Sequence, residues 1–445
     1  MTSLPSSLSR RVLLILAAAA VGGPRSVCAQ LPVTRAAAES AALAAGPRVA
    51  LARADTVAAR AAAITAKQLP NPSLSLQRTG APPQRHLIMD VPFDPPWVRG
   101  PRIGATNALT RASRLRFMSE RAQALLEVDT TYTRALGAQA RFRLSRQTAR
   151  DADSLRKMTV SRRDAGDASD LDVDLATVTA GQQLNVTASD SLTYMSTLLT
   201  VQTLMGIPAD SVAIVLVDSL RLGAIDTGAL LRQADSAGVA AIRGAAANAP
   251  TANAPTTGAT TLGPVVASMP SVAAAEANLL ATELAITRER RSVFGITSFQ
   301  VGIEWHDPTV DPVDNEKLWV LGLSIPLPLF NQNQGAIALA YAERDRARAE
   351  LTAARLTARQ RLVEAFKELA SLRARVARDQ ELVVRADRVA SKSLEAYREG
   401  ASALPAVLEA RRTAREVLGQ YIDDLTALIT LQAELRVLTQ TVPPQ

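Results

Sequence analysis

The sequence predicts a mainly α-helical chain with a small β part, in which two long antiparallel helical hairpins are joined to four β-strands. Three observations lead to this fold class. Hydrophobic residues make up 47% and aromatic residues only 3%, a composition typical of long, closely packed helices. Residues 105–165 and 336–399 contain no proline. Short segments with alternating apolar and polar residues precede both of these stretches.

The N-terminus has the pattern of a secretory signal. Adjacent arginines precede the apolar run 12–21, and small residues at 27–29 form a cleavage site. We therefore predict a signal peptide over 1–29. Cys28 is the one cysteine and offers lipid attachment as an alternative, but the residues before it lack the expected leucine, so we favour cleavage after Ala29.

The charge pattern does not predict a nucleic-acid-binding protein. The formal net charge of +8 falls to +5 without the three arginines of the signal peptide, and the remaining Lys and Arg are not clustered. No later segment approaches the roughly 20 apolar residues that a membrane helix needs. We predict an exported protein without a membrane-spanning helix.

An internal repeat is the strongest signal in the sequence. "MDVPF" at 89–93 matches "LSIPL" at 323–327, and "AGDASDLDVDLA" at 165–176 matches "EGASALPAVLEA" at 399–410. Both matches have the same offset of 234 positions. Unrelated coincidences do not share an offset, so we predict a duplicated framework.

The repeat sets the predicted domains. The first repeat spans 30–220 and the second 269–445, with an equatorial element and a low-complexity linker at 221–268. Each repeat is expected to contain a helix, two strands, a very long helix, a tight turn and a return helix. The return helices are predicted at 170–206 and 404–438.

The strands are predicted to have two different faces. In 298–305 the apolar side chains alternate with Ser, Gln, Gly and Glu, and the segments 73–77 and 87–91 alternate in the same way. The predicted apolar set is Leu74, Leu76, Leu87, Met89, Val91, Phe299, Val301, Ile303 and Trp305.

Glycines and prolines mark the ends of these elements. Gly166 and Gly400 are predicted to end the long helices in tight hairpin turns. Pro92, Pro326 and Pro328 are predicted to turn the chain from strand to helix. In "NQNQG", residues 331–335, an Asn side chain is expected to cap the second long helix by accepting its free N–H groups.

Two-faced strands suit a transmembrane barrel, with lipid outside and water inside. Four strands cannot close a barrel, whereas three chains would supply twelve. Trp97, Trp305 and Trp319 lie in or beside the strands, where membrane-interface girdles are expected. A soluble β-subdomain with core aromatics is the alternative.

Three motifs carry a family resemblance. "LPNPSLSL" at 69–76, "LGLSIPLPLFNQNQGAIALAYAE" at 321–343 and "YREGASALPAVLEARRT" at 397–413 resemble the TolC family of outer-membrane efflux proteins. The likeness is greatest to the branch that serves heavy-metal and multidrug pumps of the resistance-nodulation-division class. The resemblance implies a homotrimer in the outer membrane, whose helical tunnel extends through the periplasm. It also implies a periplasmic adaptor (membrane fusion protein) and an inner-membrane pump as partners.

The same resemblance assigns roles at the hairpin tips. Asp172 and Glu409 match positions that line or close the pore in the family. Ala406 stands where a second acid is expected, and Ser402 replaces the usual arginine partner of Asp172. The predicted tip-turn and adaptor-docking residues are Gly166, Val173, Gly400, Leu404 and Val407.

Other functions are less well supported. His86 and His306 are expected in strand-connecting loops, and His306 with Asp307 and Asp311 offers a weak divalent-metal pattern that reads better as a solvated loop. No phosphate-binding loop, cysteine site or nucleophile elbow is present, so we predict no cofactor, no metal and no enzyme activity. A periplasmic coiled-coil adaptor is the alternative function, but it would have one hairpin and no barrel.

Overall fold

The computed structural model describes residues 31–80, 83, 85–210, 212–220, 263–293, 295, 297–305 and 317–439. The signal peptide, most of the predicted linker and the strand-connecting loop with His306 lie outside these residues. Within them the chain forms a short pair of strands, a four-stranded sheet and two very long helical hairpins. Each repeat contributes two strands of the sheet and one hairpin.

The first repeat begins with a strand that the sequence did not predict. Its elements are β1 (Leu31–Val33), α1 (Arg35–Ala45), α2 (Pro47–Lys67), β2 (Ser73–Arg78), β3 (Arg85–Phe93), α3 (Pro96–Asp164), α4 (Asp170–Leu204) and β4 (Ile214–Leu216). Strands β1 and β4 pair in parallel, Leu31 opposite Ile214. They form a two-stranded sheet that joins the start of the first repeat to the segment after its hairpin.

The second repeat has the same order without the short strands. Its elements are α5 (Gly263–Ser268), α6 (Pro270–Ser292), β5 (Thr297–Trp305), β6 (Lys317–Ser324), α7 (Gln334–Arg398) and α8 (Leu404–Thr439). The long helices α3 and α7 have 69 and 65 residues. At about 1.5 Å per residue each is roughly 100 Å long.

The first long helix starts nine residues earlier than predicted. The prediction placed this helix on the proline-free residues 105–165, but α3 begins at Pro96, and Pro101 lies inside its second turn. A proline in the first helical turn lacks only an N–H that would have no helical partner. Pro101 removes one hydrogen bond without ending the helix.

The four-stranded sheet has the order β2-β3-β5-β6, with every neighbouring pair antiparallel. The central pair β3–β5 joins the two repeats over nine matched positions, from Arg85 opposite Trp305 to Phe93 opposite Thr297. In one chain β2 and β6 are the edge strands of this sheet. Within the part of the chain that the structure describes, each edge strand has a neighbouring strand on one side only.

The helices surround α3, which packs against α1, α2, α4, α6 and α8. A cluster at the base of the first hairpin joins β1 and β4 to α1, α3 and α4 around the fully buried Tyr132. The Tyr132 hydroxyl lies 2.9 Å from the Val33 carbonyl oxygen and 2.8 Å from Asp218 Oδ2. Burial, together with the Asp218 carboxylate, raises the pKa of Tyr132, so its hydroxyl remains a donor.

No helix among the described segments combines the length and apolar content that crossing a bilayer requires. The long helices instead carry narrow apolar stripes. Two further clusters use those stripes, one between α7 and α8 around Leu372 and Leu428, the other between α5, α6 and α7 around Val272 and Leu362. Burial of each such side chain contributes about 1.5–3 kcal/mol.

Helices α3 and α8 approach closely where one hairpin meets the other. A Cβ at Gly137 would lie 2.5 Å from Thr426 Oγ1. The two helices can therefore approach this closely because residue 137 has no side chain. One turn further, Arg141 Nε donates to Asp423 Oδ1 at 2.6 Å, and Arg141 Nη2 also donates to the Gly419 carbonyl oxygen. The glycine therefore sets the distance between the two hairpins.

We expect Gly137→Ala to destabilise the protein by about 1 kcal/mol because the new methyl group overlaps Thr426. In a Thr426→Ala background the same change should stabilise by up to about 1 kcal/mol through helix propensity. Gly181→Ala is the control, because nothing lies within 4 Å of its added Cβ. Thermal unfolding followed by circular dichroism measures all four variants. Equal stabilisation by Gly137→Ala and Gly181→Ala would contradict the close contact.

Candidate functional site

One face of the four-stranded sheet is apolar from edge to edge. Residues of all four strands stand in cross-strand rows, as the sequence alternation predicted. Trp319 and Leu321 on the edge strand β6 are 73% and 80% exposed. The rows are Leu74–Met89–Val301–Leu321, Leu76–Leu87–Ile303–Trp319 and Val91–Phe299–Leu323. An exposed apolar surface of this kind is an interaction surface rather than a solvated one.

The opposite face carries polar side chains that pair across the strands. His86 Nδ1 lies 2.9 Å from Glu304 Oε1, and Gln300 Nε2 lies 3.4 Å from Asp90 Oδ2. The prediction that His86 lies in a connecting loop is wrong, because β3 extends to Arg85 and the His86 ring faces a strand neighbour. Among the described residues, no group of three or more His, Cys, Asp or Glu is placed to hold a metal ion.

Aromatic side chains lie at both ends of the sheet. Phe93 and Phe299 meet edge to face, with ring centroids 6.0 Å apart, at the end from which the long helix departs. Trp97 is exposed in the first turn of α3 at this end, whereas Trp305 and Trp319 lie toward the opposite end. The predicted girdle residues thus lie in two separate bands.

The first strand-to-helix connection is held by an ion pair. Pro92, predicted in the turn, is instead the penultimate residue of β3 and stands opposite Ser298. The chain leaves the sheet at Asp94, whose side chain is 1% exposed and is paired with Arg102. Arg102 Nε also donates to the Ala66 carbonyl oxygen at 3.1 Å. The start of α3 is thereby fixed to the end of α2.

The second connection is held by an amide side chain. Pro326 and Pro328 lie in the irregular segment between β6 and α7, as predicted. Asn333 has a left-handed backbone, φ 60°, and its Nδ2 lies 3.1 Å from the Glu289 carbonyl oxygen and 2.9 Å from Ser292 Oγ. The Asn333 amide thus donates to the end of α6 and makes no cap bond to α7, whereas Asn331 Oδ1 accepts from the Asn333 N–H at 2.9 Å. The Asn side chain that accepts is therefore Asn331, and its partner is the residue before α7 rather than a free N–H group of the helix itself.

The two hairpin tips share one turn geometry. Gly166 and Gly400 have φ values of 87° and 77°. In each tip the glycine N–H bonds to a carbonyl three residues back, while the following N–H bonds to one five residues back. This is the Schellman ending, which favours glycine because a Cβ strains the left-handed backbone. The common offset of 234 in the sequence reflects this shared turn.

A hydrophobic cluster, the tip cluster, joins the two hairpins next to these turns. Its buried members are Leu155, Ala176, Tyr397, Leu404 and Val407. Leu404 and Val407 were predicted to dock an adaptor, but they are 2% and 0% exposed within one chain. Their side chains hold α8 against the first hairpin, so a direct docking contact through them is ruled out in this state.

The predicted gate carboxylates have different surroundings. Asp172 is half-buried, and its Oδ2 accepts from the Ser169 N–H at 3.1 Å and from Ser169 Oγ at 2.8 Å, while Ser169 Oγ accepts from the Asp172 N–H. This capping box begins α4. Glu409 is exposed on α8. Val173 is half-buried one position after Asp172.

Sequence reasoning missed the residue that crosses between the tips. The Arg162 guanidinium lies 4.7 Å from the centroid of the Tyr397 ring and also donates to the Tyr397 carbonyl oxygen. The Tyr397 hydroxyl approaches Thr159 Oγ1 at 3.4 Å. The two positions are 235 residues apart, so no local pattern in the sequence could have revealed this contact.

The fold and these surfaces define a channel-type protein, in which a two-faced sheet continues into long helical hairpins. Residues 263–440 match the family model described as outer membrane efflux protein. The prediction of an outer-membrane efflux protein is thereby confirmed, as are its outer-membrane location and its class as a transport protein rather than an enzyme.

Solved structures of efflux channels have the same fold. The CmeC outer-membrane channel of Campylobacter jejuni superposes with a TM-score of 0.71 at 13% identity, covering 91% of this chain and 85% of that one. CusC gives 0.68 at 15% identity, with coverage of 94% and 95%. VceC of Vibrio cholerae gives 0.67 at 14% identity, with coverage of 92% and 96%. A comparison with curated protein sequences finds no match.

Arg102→Met is expected to destabilise the protein by roughly 3–5 kcal/mol, because it leaves the buried Asp94 carboxylate unpaired. Adding Asp94→Asn should recover most of that loss, since the neutral amide tolerates burial better than a lone charge. Arg116→Met, on an exposed position of the same helix, is the control. Chemical denaturation provides the measurement. If Arg102→Met and Arg116→Met unfold at the same denaturant concentration, the ion pair does not hold this connection.

Proposed function

We propose that three copies of the chain close a twelve-stranded barrel in the outer membrane and continue into one helical tunnel across the periplasm. The two edge strands of the sheet, β2 and β6, support this assembly. Strand direction alternates through β2, β3, β5 and β6, so β6 of one copy can pair antiparallel with β2 of the next. Every edge is then satisfied, as a bilayer requires.

The different chemical character of the two sheet faces supports this arrangement. The exposed apolar rows of the sheet suit contact with lipid, and the paired polar face with His86–Glu304 and Gln300–Asp90 suits a water-filled interior. The aromatic bands at both ends lie where the two membrane interfaces would be. The even strand number and alternating residues follow the pattern of outer-membrane barrels.

The long hairpins would form the wall of the tunnel. Three copies bring six long helices, α3 and α7 of each chain, together with six return helices, α4 and α8, which have 35 and 36 residues. At roughly 100 Å the long helices have the length of an extended duct rather than of a compact domain. The duplicated hairpins and the sheet argue against a periplasmic adaptor with a single hairpin. We retain the predicted repeats, 30–220 and 269–445, as the two structural units.

The proposed activity is passive. Substrates driven by an inner-membrane pump would enter at the hairpin tips through a periplasmic adaptor and leave through the barrel. The chain itself would bring no catalysis. Exposed positions around the tip turns, including Gly166 and Gly400, are the proposed docking surface, with Val173 beside it.

A substitution pair on neighbouring positions of β5 tests the barrel. Val301→Arg places a charge at the middle of the lipid-facing row, at a cost of roughly 2–4 kcal/mol at the bilayer midplane. Gln300→Arg places the same charge on the water-facing side. We expect wild type and Gln300→Arg to give stable conductance steps in planar bilayers, and Val301→Arg to insert rarely. Equal insertion of both variants would contradict the assigned faces, and a wild-type chain that is monomeric and non-conducting would refute the channel.

We further propose that Asp172 and Glu409 restrict the tip of the assembled tunnel. Charged rings at constrictions set ion selectivity. Asp172→Asn with Glu409→Gln removes both charges, while the amide still caps Ser169. The expected result is a rise in single-channel conductance of roughly twofold or more and a weaker cation preference, measured as a shift in reversal potential.

The control for this experiment is Asp174→Asn with Glu399→Gln, which removes two exposed tip charges that were not assigned to the gate. Conductance and reversal potential identical to wild type in the Asp172→Asn and Glu409→Gln variant would refute the gating role. A change of equal size in the control would show a general effect of tip charge instead.

A further inference from the structure

A cavity of about 570 Å³ separates the two hairpins beside the tip cluster. Helices α3, α4, α7 and α8 all contribute to its lining. Leu155, a buried member of the tip cluster, lines the cavity, as do Leu394 and Leu408, which pack against that cluster. Much of the wall is apolar. The apolar lining residues are Leu144, Ala152, Leu155, Val383, Val384, Ala390, Leu394, Leu408, Ala414 and Leu418. The volume is in the range of small-molecule sites in proteins.

Two arginines enter this wall from one helix. Arg411 and Arg415 are one turn apart on α8, and both are half-buried. Arg411 Nη1 donates to the Asp151 carbonyl oxygen at 3.1 Å. Within the described part of the chain, neither guanidinium forms an ion pair with a carboxylate. Each guanidinium has five N–H donors. Within the described residues, the bond from Arg411 to the Asp151 carbonyl oxygen uses one of them.

The surrounding charges do not compensate these cations. Burial lowers the pKa of Arg411. The Asp151 carboxylate acts to raise this pKa, and the positive charge of Arg398 lowers it further. Burial also lowers the pKa of Arg415, with Glu416 opposing and Arg412 adding. Partly buried charges without a partner are unfavourable, and an anion at this position would relieve them.

The nearby carboxylates are engaged elsewhere or exposed. Asp151 Oδ1 accepts from Gln147 Nε2 at 3.0 Å. Glu416 Oε1 accepts from Arg412 Nε at 2.9 Å. Asp387 lines the cavity but is exposed. The space in front of Arg411 and Arg415 therefore combines positive charge with apolar walls.

We propose that this cavity binds a small amphiphilic anion, with its acidic head on Arg411 and Arg415 and its apolar body along the leucine-rich wall. Guanidinium groups bind carboxylate, sulfate and phosphate through paired, charge-assisted hydrogen bonds. The apolar body would cover side chains of both hairpins, so the ligand would bridge them. The site lies within one chain and does not rest on the proposed assembly.

Calorimetric titration of the full mature protein in a nonionic detergent with decanoate tests this site, with a titration into detergent buffer as the blank. Removing one charge-assisted contact typically costs about tenfold or more in affinity. We therefore expect saturable binding that is at least about tenfold weaker in Arg411→Gln and in Arg415→Gln. Uncharged decanamide should bind less well than decanoate by a similar factor.

Three further variants separate the site from general effects. Arg143→Gln changes an exposed arginine of α3 that does not line the cavity, so its affinity for decanoate should equal that of wild type. Ala414→Phe fills the cavity without removing charge and should also abolish binding, whereas Arg415→Lys should retain part of it. Non-saturable uptake, or equal affinity in all variants, would overturn the proposal by showing partition into detergent or onto the surface.

Discussion

The unpaired edges of the four-stranded sheet are the constraint on which the rest of the structure depends. Among the described residues, strands β2 and β6 each leave one row of backbone N–H and C=O groups without a neighbouring strand. Water can satisfy such groups in solution, but a bilayer cannot, so the apolar face and the open edges are compatible only in a closed assembly. In the proposed assembly one chain therefore supplies an arc of the channel wall. The long helices follow from the same logic, because each carries an apolar stripe too long to be covered by a compact core.

The connections between strands and long helices show how duplication preserved a geometry while changing its chemistry. Both connections fasten the start of a long helix to the end of the preceding short one. The first uses Arg102, held by the buried Asp94, as a donor to the carbonyl of Ala66. The second uses the Asn333 amide as a donor to the carbonyl of Glu289. In both cases a donor reaches the C-terminal carbonyl end of a helix, where free acceptors and the negative end of the helix dipole favour it.

Features with a local cause were predictable from the sequence. The alternation of Phe299, Val301 and Ile303 fixed the strand faces, because the side-chain period of a strand is two. Gly166 and Gly400 fixed the tips, because only a left-handed residue ends a helix in this way. Strand β1 could not be foreseen, since three residues carry no periodicity and their partner lies at 214–216. The burial of Leu404 and Val407 could not be predicted from local sequence either, because it depends on contact with a hairpin more than 200 positions away.

The tips of one chain form a single packed unit, and this bears on how the tunnel could open. Leu155, Leu404 and Val407 are buried between the hairpins, and Arg162 lies over Tyr397 across the same boundary. Separating the hairpins within a chain would expose these side chains at about 1.5–3 kcal/mol each. Movement between neighbouring chains would leave the tip cluster intact. The physical chemistry of one chain therefore favours an opening in which each pair of hairpins moves as a rigid body and the boundary that changes is the one between copies.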